Sequence, residues 1–377
     1  SSVAERLQRA AQRHERTLFA TGGKLALHKC TWVLVTWVWH NGVATLRGTE
    51  DGDRTANLSL THSKDGTRQT IHRLDIGESY RTLGIWIAAD GNQRRQLQVL
   101  QRSVDTWMQA IRNSSLNQHD RQVAYNMFLR PQLVYPLGCT TIEAAKIRKL
   151  FRPVLTVLLH SLGLGRNFPL TVAHAGGDDL GLGLDDAVCI LGVAQLQLLL
   201  GHLNKQDRTG QLIQIDRDYI ELAVGTGACP LANPEISALP HCPTTWITSI
   251  SKFLHSIDGS VTTTLKRVVP AQRENDRYIM QLALNGNFCV KSIQQCRMWL
   301  NVCTVADIVD TDGRRIEQWA FVRSREGRAS RLKWPIQGQP PKSAWNKWKK
   351  FLNSLLATPG RRLGRVLKST YRMGKWH

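Results

Sequence analysis

Three parts of this 377-residue chain hold residues whose types and spacing suit chemistry on a phosphate-rich partner. The segment Gly22-Gly23-Lys24-Leu25-Ala26-Leu27-His28-Lys29-Cys30 puts a glycine pair before a short apolar run and a lysine after it. Glycines let the backbone turn tightly, and an ammonium at a strand end can reach a phosphate. Taken alone, the signal is weak, because a lysine after a strand is usually only a solvated charge. About fifty residues on, Tyr80-Arg81-Thr82-Leu83-Gly84-Ile85-Trp86-Ile87 carries a glycine inside what reads as one strand from Tyr80 to Ala88. Such a glycine marks the close approach of another backbone. The third part is the end of the chain. Residues 314–377 hold 17 Lys/Arg and 2 Asp/Glu, so most of the net charge of +21 sits there. Phosphates release counterions when cations neutralise them, so a polyanion is the natural partner. The same segment holds 5 of the 12 Trp, which favours nucleic acid over a merely solvating tail. Its cations include Arg331, Lys333, Lys347, Lys349, Lys350, Arg361 and Arg362. Tryptophans between cations can stack bases, but the helical spacing of Trp345 and Trp348 favours packing of a helix.

Other candidates are weaker. Gly176-Gly177-Asp178-Asp179-Leu180 holds an acid pair, with Asp185-Asp186 shortly after. The first pair lies between glycines and not in a hairpin between apolar strands, so capping of a helix starting near Asp185 explains the region better than a metal site. Cys289, Cys296 and Cys303 recur every seven residues, which on a helix gives one face of packed thiols and lacks the tight ligand pairs of a metal site. No C-x-x-C occurs among the eight cysteines, and with no secretory signal in view the expectation is reduced thiols in a nuclear or cytoplasmic setting.

These residues need positioning elements, and the pattern supplies them. Residues 1–20 read as a helix ended by Thr21-Gly22-Gly23. Thr31–Trp39 reads as a strand rich in Val, Thr and Trp, with Asn41-Gly42 as a turn. Asp51-Gly52 and Asp65-Gly66 mark further turns, and short strands fit Leu58–Thr61 and Thr70–Leu74. Leu97, Leu100, Val104, Trp107, Met108 and Ile111 form one apolar stripe of a helix over 93–112. Asn117 opens the next helix with Asp120 three residues on, and Pro131 ends it. Helices follow over 142–159 and about 186–203, separated by the glycine-rich 176–183. Four prolines in 225–245 suggest a linker, and shorter helices fit 247–257, 277–284 and 290–303. Ser343 is placed to cap a helix carrying Trp345, Trp348, Leu352, Leu355 and Leu356. No run of 18 uninterrupted apolar residues occurs, so no membrane span is expected. The start at Ser1, within a helical pattern, reads as a fragment.

The order of these features resembles the reverse transcriptases of non-LTR retrotransposons over roughly residues 1–200. Gly22-Gly23-Lys24-Leu25 leading to Lys29-Cys30 is similar to the end of the family's palm. Tyr80-Arg81-Thr82-Leu83-Gly84 resembles its primer grip, and the helix with Trp107 resembles the first thumb helix. The resemblance implies an α+β chain: a small antiparallel palm remnant with strands at the N-terminus, then a mainly helical thumb and a helical downstream region. The implied divisions are a palm remnant over 1–92, a thumb over 93–204, a helical connection over 205–313 and a basic tail over 314–377. Lys29 would lie near the incoming phosphates, as a general acid toward pyrophosphate. Arg81, Leu83 and Gly84 would hold the primer end, and Arg94, Arg95 and Arg102 would track the duplex of RNA template and DNA primer. Family polymerisation uses Mg²⁺ ions clamped by palm carboxylates about 3.5–4 Å apart. Those carboxylates would precede residue 1, in the palm and fingers of the same polyprotein, so this chain would bind no metal and extend no primer alone. The alternative is a non-enzymatic nucleic-acid-binding protein that keeps polymerase thumb architecture. A helical-repeat scaffold is disfavoured, since no period of roughly 30–45 residues occurs.

Overall fold

A serine three residues before a glutamate starts the first helix, α1 (Val3–Ala20). The Ser2 hydroxyl accepts from the Glu5 amide, and the Glu5 carboxylate accepts from the Ser2 amide at 3.1 Å. Thr21 closes the helix and Gly22 follows at φ +79°, a conformation that favours glycine. The computed structural model describes residues 2–40, 43–47, 57–61, 66–205, 207–262, 271–322, 339–358 and 362–369. The architecture is α+β with small two-stranded sheets. It divides into two compact units, residues 1–40 with 44–112, and residues 41–43 with 113–377.

In the first unit the strands are β1 (Thr31–Trp32), β2 (Thr36–His40), β3 (Val43–Arg47), β4 (Ser59–Thr61), β5 (Arg68–Thr70), β6 (His72–Arg73), β7 (Ser79–Thr82) and β8 (Ile85–Ala88). The expected continuous strand over 31–39 is two strands, broken at residues 33–35. β1 pairs with β6 in parallel, whereas β4–β5 and β7–β8 are antiparallel. β2 pairs with β3 around Asn41-Gly42, which lies outside the described residues, as do Asp51-Gly52 and Asp65. Gly66 is left-handed, as its turn requires. Leu27, Trp32, Leu58, Leu60 and Ile71 form a small core against Leu7 and Ala11 of α1. The edge of β4 is satisfied by side chains of α1. The Gln8 amide bonds both backbone groups of Ser59, at 2.7 and 2.9 Å, and Glu15 accepts from the Thr61 amide. This leaves β4 few open backbone groups on that side. α2 (Arg94–Arg112) buries Leu100, Val104, Trp107, Met108 and Ile111, the stripe read from sequence.

The second unit is mostly helical. α3 (Gln118–Ala124) starts at Asn117, whose side chain accepts from Asp120 at 2.9 Å. Helical backbone then continues where Pro131 was expected to stop it. A π turn over Tyr125–Leu129 leads into α4 (Arg130–Leu137) with Pro131 in its first turn, where the missing N–H costs little. α5 (Ala144–Ser161) and the short α6 (Leu170–His174) follow. α7 (Ala187–Lys205) has the length and apolar composition of a membrane span. It packs against α4, α5, α8 (Arg208–Val224) and α9 (Trp246–Ser256), and Gln195 donates from its middle to the Thr140 carbonyl at 2.7 Å. A third of that apolar span is buried inside the fold.

The proline-rich stretch 225–245 is not a linker. Leu231 and Ile236 are buried with Leu199, Ile220, Ile247 and Ile250, and Ser251 donates to the Pro230 carbonyl. Beyond it, α10 (Ile279–Asn285), α11 (Val290–Leu300) and α12 (Lys342–Ser354) share one core that includes Trp345, Trp348 and Phe351. Pro341, not Ser343, precedes α12, and no side chain caps it. The cysteine triplet shares no helix face. Cys289 is exposed before α11, Cys296 is buried on it, and Cys303 lies past the left-handed Asn301 that ends it. Two two-stranded elements border this part: β9 (Arg273–Glu274) with β12 (Lys368–Ser369), and β10 (Leu356–Thr358) with β11 (Arg362–Leu363).

One buried cation joins α11 to α8. The Arg297 guanidinium is fully buried and donates to the carbonyls of Leu222 and Ala223, at 2.9 and 2.6 Å, and to Gln294. These carbonyls end α8, where backbone acceptors lack helical partners and the dipole favours a cation. Burial pushes Arg297 down to about 10, so it stays charged at neutral pH. Gly225 follows α8 directly, and any Cβ there would meet the guanidinium. Arg297→Met leaves those carbonyls buried without their charged donor. It should destabilise the second unit by about 3 kcal/mol, read as a lower urea midpoint. An unchanged midpoint would mean that the contact contributes nothing.

Candidate nucleic-acid interface

The strand expected over Tyr80–Ala88 is a hairpin. β7 and β8 pair Tyr80 with Ile87, Arg81 with Trp86 and Thr82 with Ile85, so Leu83-Gly84 is the two-residue turn. Both turn residues are left-handed, Leu83 at φ +49° and Gly84 at +90°. Two positive φ values match the twist of the strands. Glycine adopts that conformation freely, but leucine does so at a cost of about 1–2 kcal/mol. Leu83 is also 85% exposed, so no burial of its side chain offsets that cost. A strained, exposed apolar residue at a hairpin tip is the kind of feature that function retains.

The hairpin is fixed to α2. The Trp86 amide points out of the ladder and donates to the side chain of Gln96, at 2.8 Å, and Gln96 is itself buried. The Arg95 guanidinium lies over the Trp86 indole, 4.8 Å from its centre, a cation–π contact. Directly paired residues share a sheet face, so Arg81, Trp86 and Arg95 gather on one side of the hairpin. Arg81 and Arg94 are exposed, as is Arg102 two turns along α2. Lys29 is placed differently from its expected strand end. It closes a 3-10 turn, Leu27–Lys29, before β1, and is exposed. No hydrogen bond or ion pair among the described residues joins it to the hairpin.

In the second unit, Lys347, Lys349 and Lys350 project from α12 while Trp345 and Trp348 are buried. The two indoles donate to the carbonyls of Phe321 and Ala320, so they hold the helix and offer no face for a base. Arg362 is exposed and bridges Arg315 through the backbone. Arg331, Lys333 and Arg361 lie outside the described residues.

A basic groove that the sequence reading missed lies within the second unit. A cavity of about 1070 Å³ is bordered by α5, the loop after it and the start of α7. Arg148, Lys149 and Arg152 face it from α5 and Arg166 from the loop. Ala145, Arg148, Lys149 and Arg152 follow the i, i+3, i+4, i+7 spacing of one helix face, which was the available signal. Across the groove, Asp185 accepts from the Tyr125 hydroxyl at 2.8 Å and from Arg130 Nε at 2.7 Å. Asp186, not Asp185, caps α7, accepting from the Val188 amide at 2.8 Å. Asp178 and Asp179 sit in an exposed 3-10 turn, and no three metal-ligating side chains converge among the described residues. The described residues do not present the carboxylate set of a two-metal centre.

Comparison of the chain with protein-family models, with curated proteins and with solved structures finds no match in any of the three.

Burial, and then the charge of Asp185, raise the Tyr125 phenol above its ordinary range. A raised folded-state value means that its stabilising contribution is complete below the unfolded value of about 10. That contribution is lost as pH climbs from there toward the folded value. Tyr125→Phe should lower stability near pH 8 by about 1–2 kcal/mol and flatten the decline above about pH 10. Urea unfolding across that range checks both. An equally steep alkaline decline in the variant would assign it to other groups.

Proposed function

We propose that this chain is the downstream part of a non-LTR retrotransposon-type reverse transcriptase and that it binds template–primer nucleic acid. In this reading the first unit holds the end of the palm and the primer grip, α2 opens the thumb, and the later helices and cations extend the contact to nucleic acid. The observation that carries it is the hairpin tip. Leu83 and Gly84 stand exposed in a strained turn, and Gln96 and Arg95 clamp the hairpin to a helix that also carries the exposed Arg94 and Arg102. A primer terminus needs such a rigid platform, because small displacements of a reacting end cost large factors in rate. Arg81, Arg94 and Arg102 would neutralise phosphates, and Leu83 would rest against the apolar sugar of the terminal nucleotide.

Lys29 keeps the role implied by the resemblance, a cation near the incoming phosphates; its exposure on a turn is compatible with that. The Mg²⁺ ions would be held by carboxylates of the remaining palm, with which this unit would have to assemble, and no polymerisation step is assigned to residues of this chain. The partners proposed are an RNA template, a DNA primer and the upstream palm and fingers, in an intracellular setting.

Binding of a primed RNA–DNA duplex, followed by fluorescence anisotropy over a range of salt, tests this. The affinity should fall linearly with salt on logarithmic axes. Arg81→Ser, Arg94→Ser and Arg102→Ser together should reduce the slope by roughly 2 to 3, since each phosphate contact contributes about 0.9. A slope unchanged by the triple variant would remove the hairpin and α2 from the interface.

A further inference from the structure

The groove of the second unit has more positive charge than its own acids can use. Arg148, Lys149, Arg152 and Arg166 are all exposed, and none forms an ion pair among the described residues. The two acids on the opposite side are committed elsewhere. Asp185 is held by Arg130 and Tyr125, and Asp186 by the first turn of α7. Like charges gathered on one helix face repel one another by a few tenths of a kcal/mol per pair. An anion entering the groove relieves that repulsion.

The shape narrows the anion. About 1070 Å³ is at or beyond the upper end of small-ligand cavities, roughly 300–1,000 Å³. It is nevertheless far too small to enclose a double helix, whose major groove alone is about 12 Å wide. Between the cations the lining is apolar, with Phe151 and Leu155 from α5 and Phe168 and Leu170 from the following segment. A duplex presents only phosphates and sugars to such a wall. An unpaired strand also presents base faces, which stack on aromatic side chains.

We propose that this groove binds single-stranded polynucleotide, with the α5 cations and Arg166 on its phosphates and bases against the Phe168 side. The proposal rests on the nucleic-acid reading above, but it concerns a different ligand form and a different unit from the hairpin. The strand bound here would be unpaired template or displaced strand.

The test uses the full chain, a labelled oligouridylate of about 12 nucleotides and a labelled primed duplex, titrated from roughly 50 to 200 mM salt. The variant is Arg148→Ser, Lys149→Ser and Arg152→Ser together, three exposed positions whose loss should leave the circular dichroism spectrum unchanged. With about 0.7 per contact on a single strand, the slope should shrink by about 2, which is about a hundredfold weaker binding at 0.1 M salt. Duplex binding should stay within about threefold of the parent, a change too small for the loss of even two phosphate contacts. Single-strand binding untouched by the variant would overturn the proposal, and so would an equal loss of both ligands. Displacement of the oligonucleotide by tripolyphosphate as effectively as by unlabelled strand would reduce the groove to a bare phosphate site and also overturn it. If the parent chain binds the single strand but not the duplex, the groove assignment stands and the primer-grip reading fails.

Discussion

The helical unit depends on where one carboxylate is spent. Asp185 precedes the central helix α7 and accepts from both Tyr125 and Arg130. It therefore ties the π turn and α4 to the start of the helix around which α5, α8 and α9 pack. A carboxylate so engaged has two hydrogen-bonded partners, the Arg130 one charged, and little capacity left for others. The four cations across the groove are consequently left without an acid. One interaction thus fixes the packing of the first helices and the electrostatic character of the surface beside them.

The first unit obeys a comparable constraint at smaller scale. Its sheets are only two strands wide, and isolated hairpins are marginal in water. Two of them are held by side chains from a neighbouring helix: Gln8 and Glu15 of α1 on β4, and Gln96 and Arg95 of α2 on β8. Trp32 adds an indole bond to the Ile71 carbonyl at 3.1 Å, and Arg73 lies over its ring. The hairpin tip can be exposed and strained because its base is over-determined.

Much of this was legible in the sequence where the apolar period agreed with the packing. The stripes of α2 and α5 read correctly because their apolar faces are their buried faces, α7 from its apolar run, and the Asn117 cap from its residue type and spacing. α8 did not, because its middle is inverted while its end packs Ile220 and Val224. Leu212, Ile215 and Tyr219 face solvent, whereas Arg217 and Glu221 are buried. The hairpin at Leu83-Gly84 hid because leucine is a poor turn residue and the alternation of residues runs through it. Residues 225–245 read as a linker because prolines mark loops, yet irregular backbone can still be buried when its polar groups are bonded, as around Ser251. The groove cations hid for a simpler reason. The apolar side of α5 declares a helix, and its basic side means little until Arg166 and the committed acids are brought opposite.

The primer-grip assignment is the central claim, and position 83 tests it most directly. A photoreactive phenylalanine analogue in place of Leu83, irradiated with a bound primed duplex, reports what the hairpin tip touches. The account predicts cross-links confined to the last few nucleotides of the primer strand at its 3′ end. Cross-links spread evenly along both strands, or none from a chain that demonstrably binds the duplex, would contradict it.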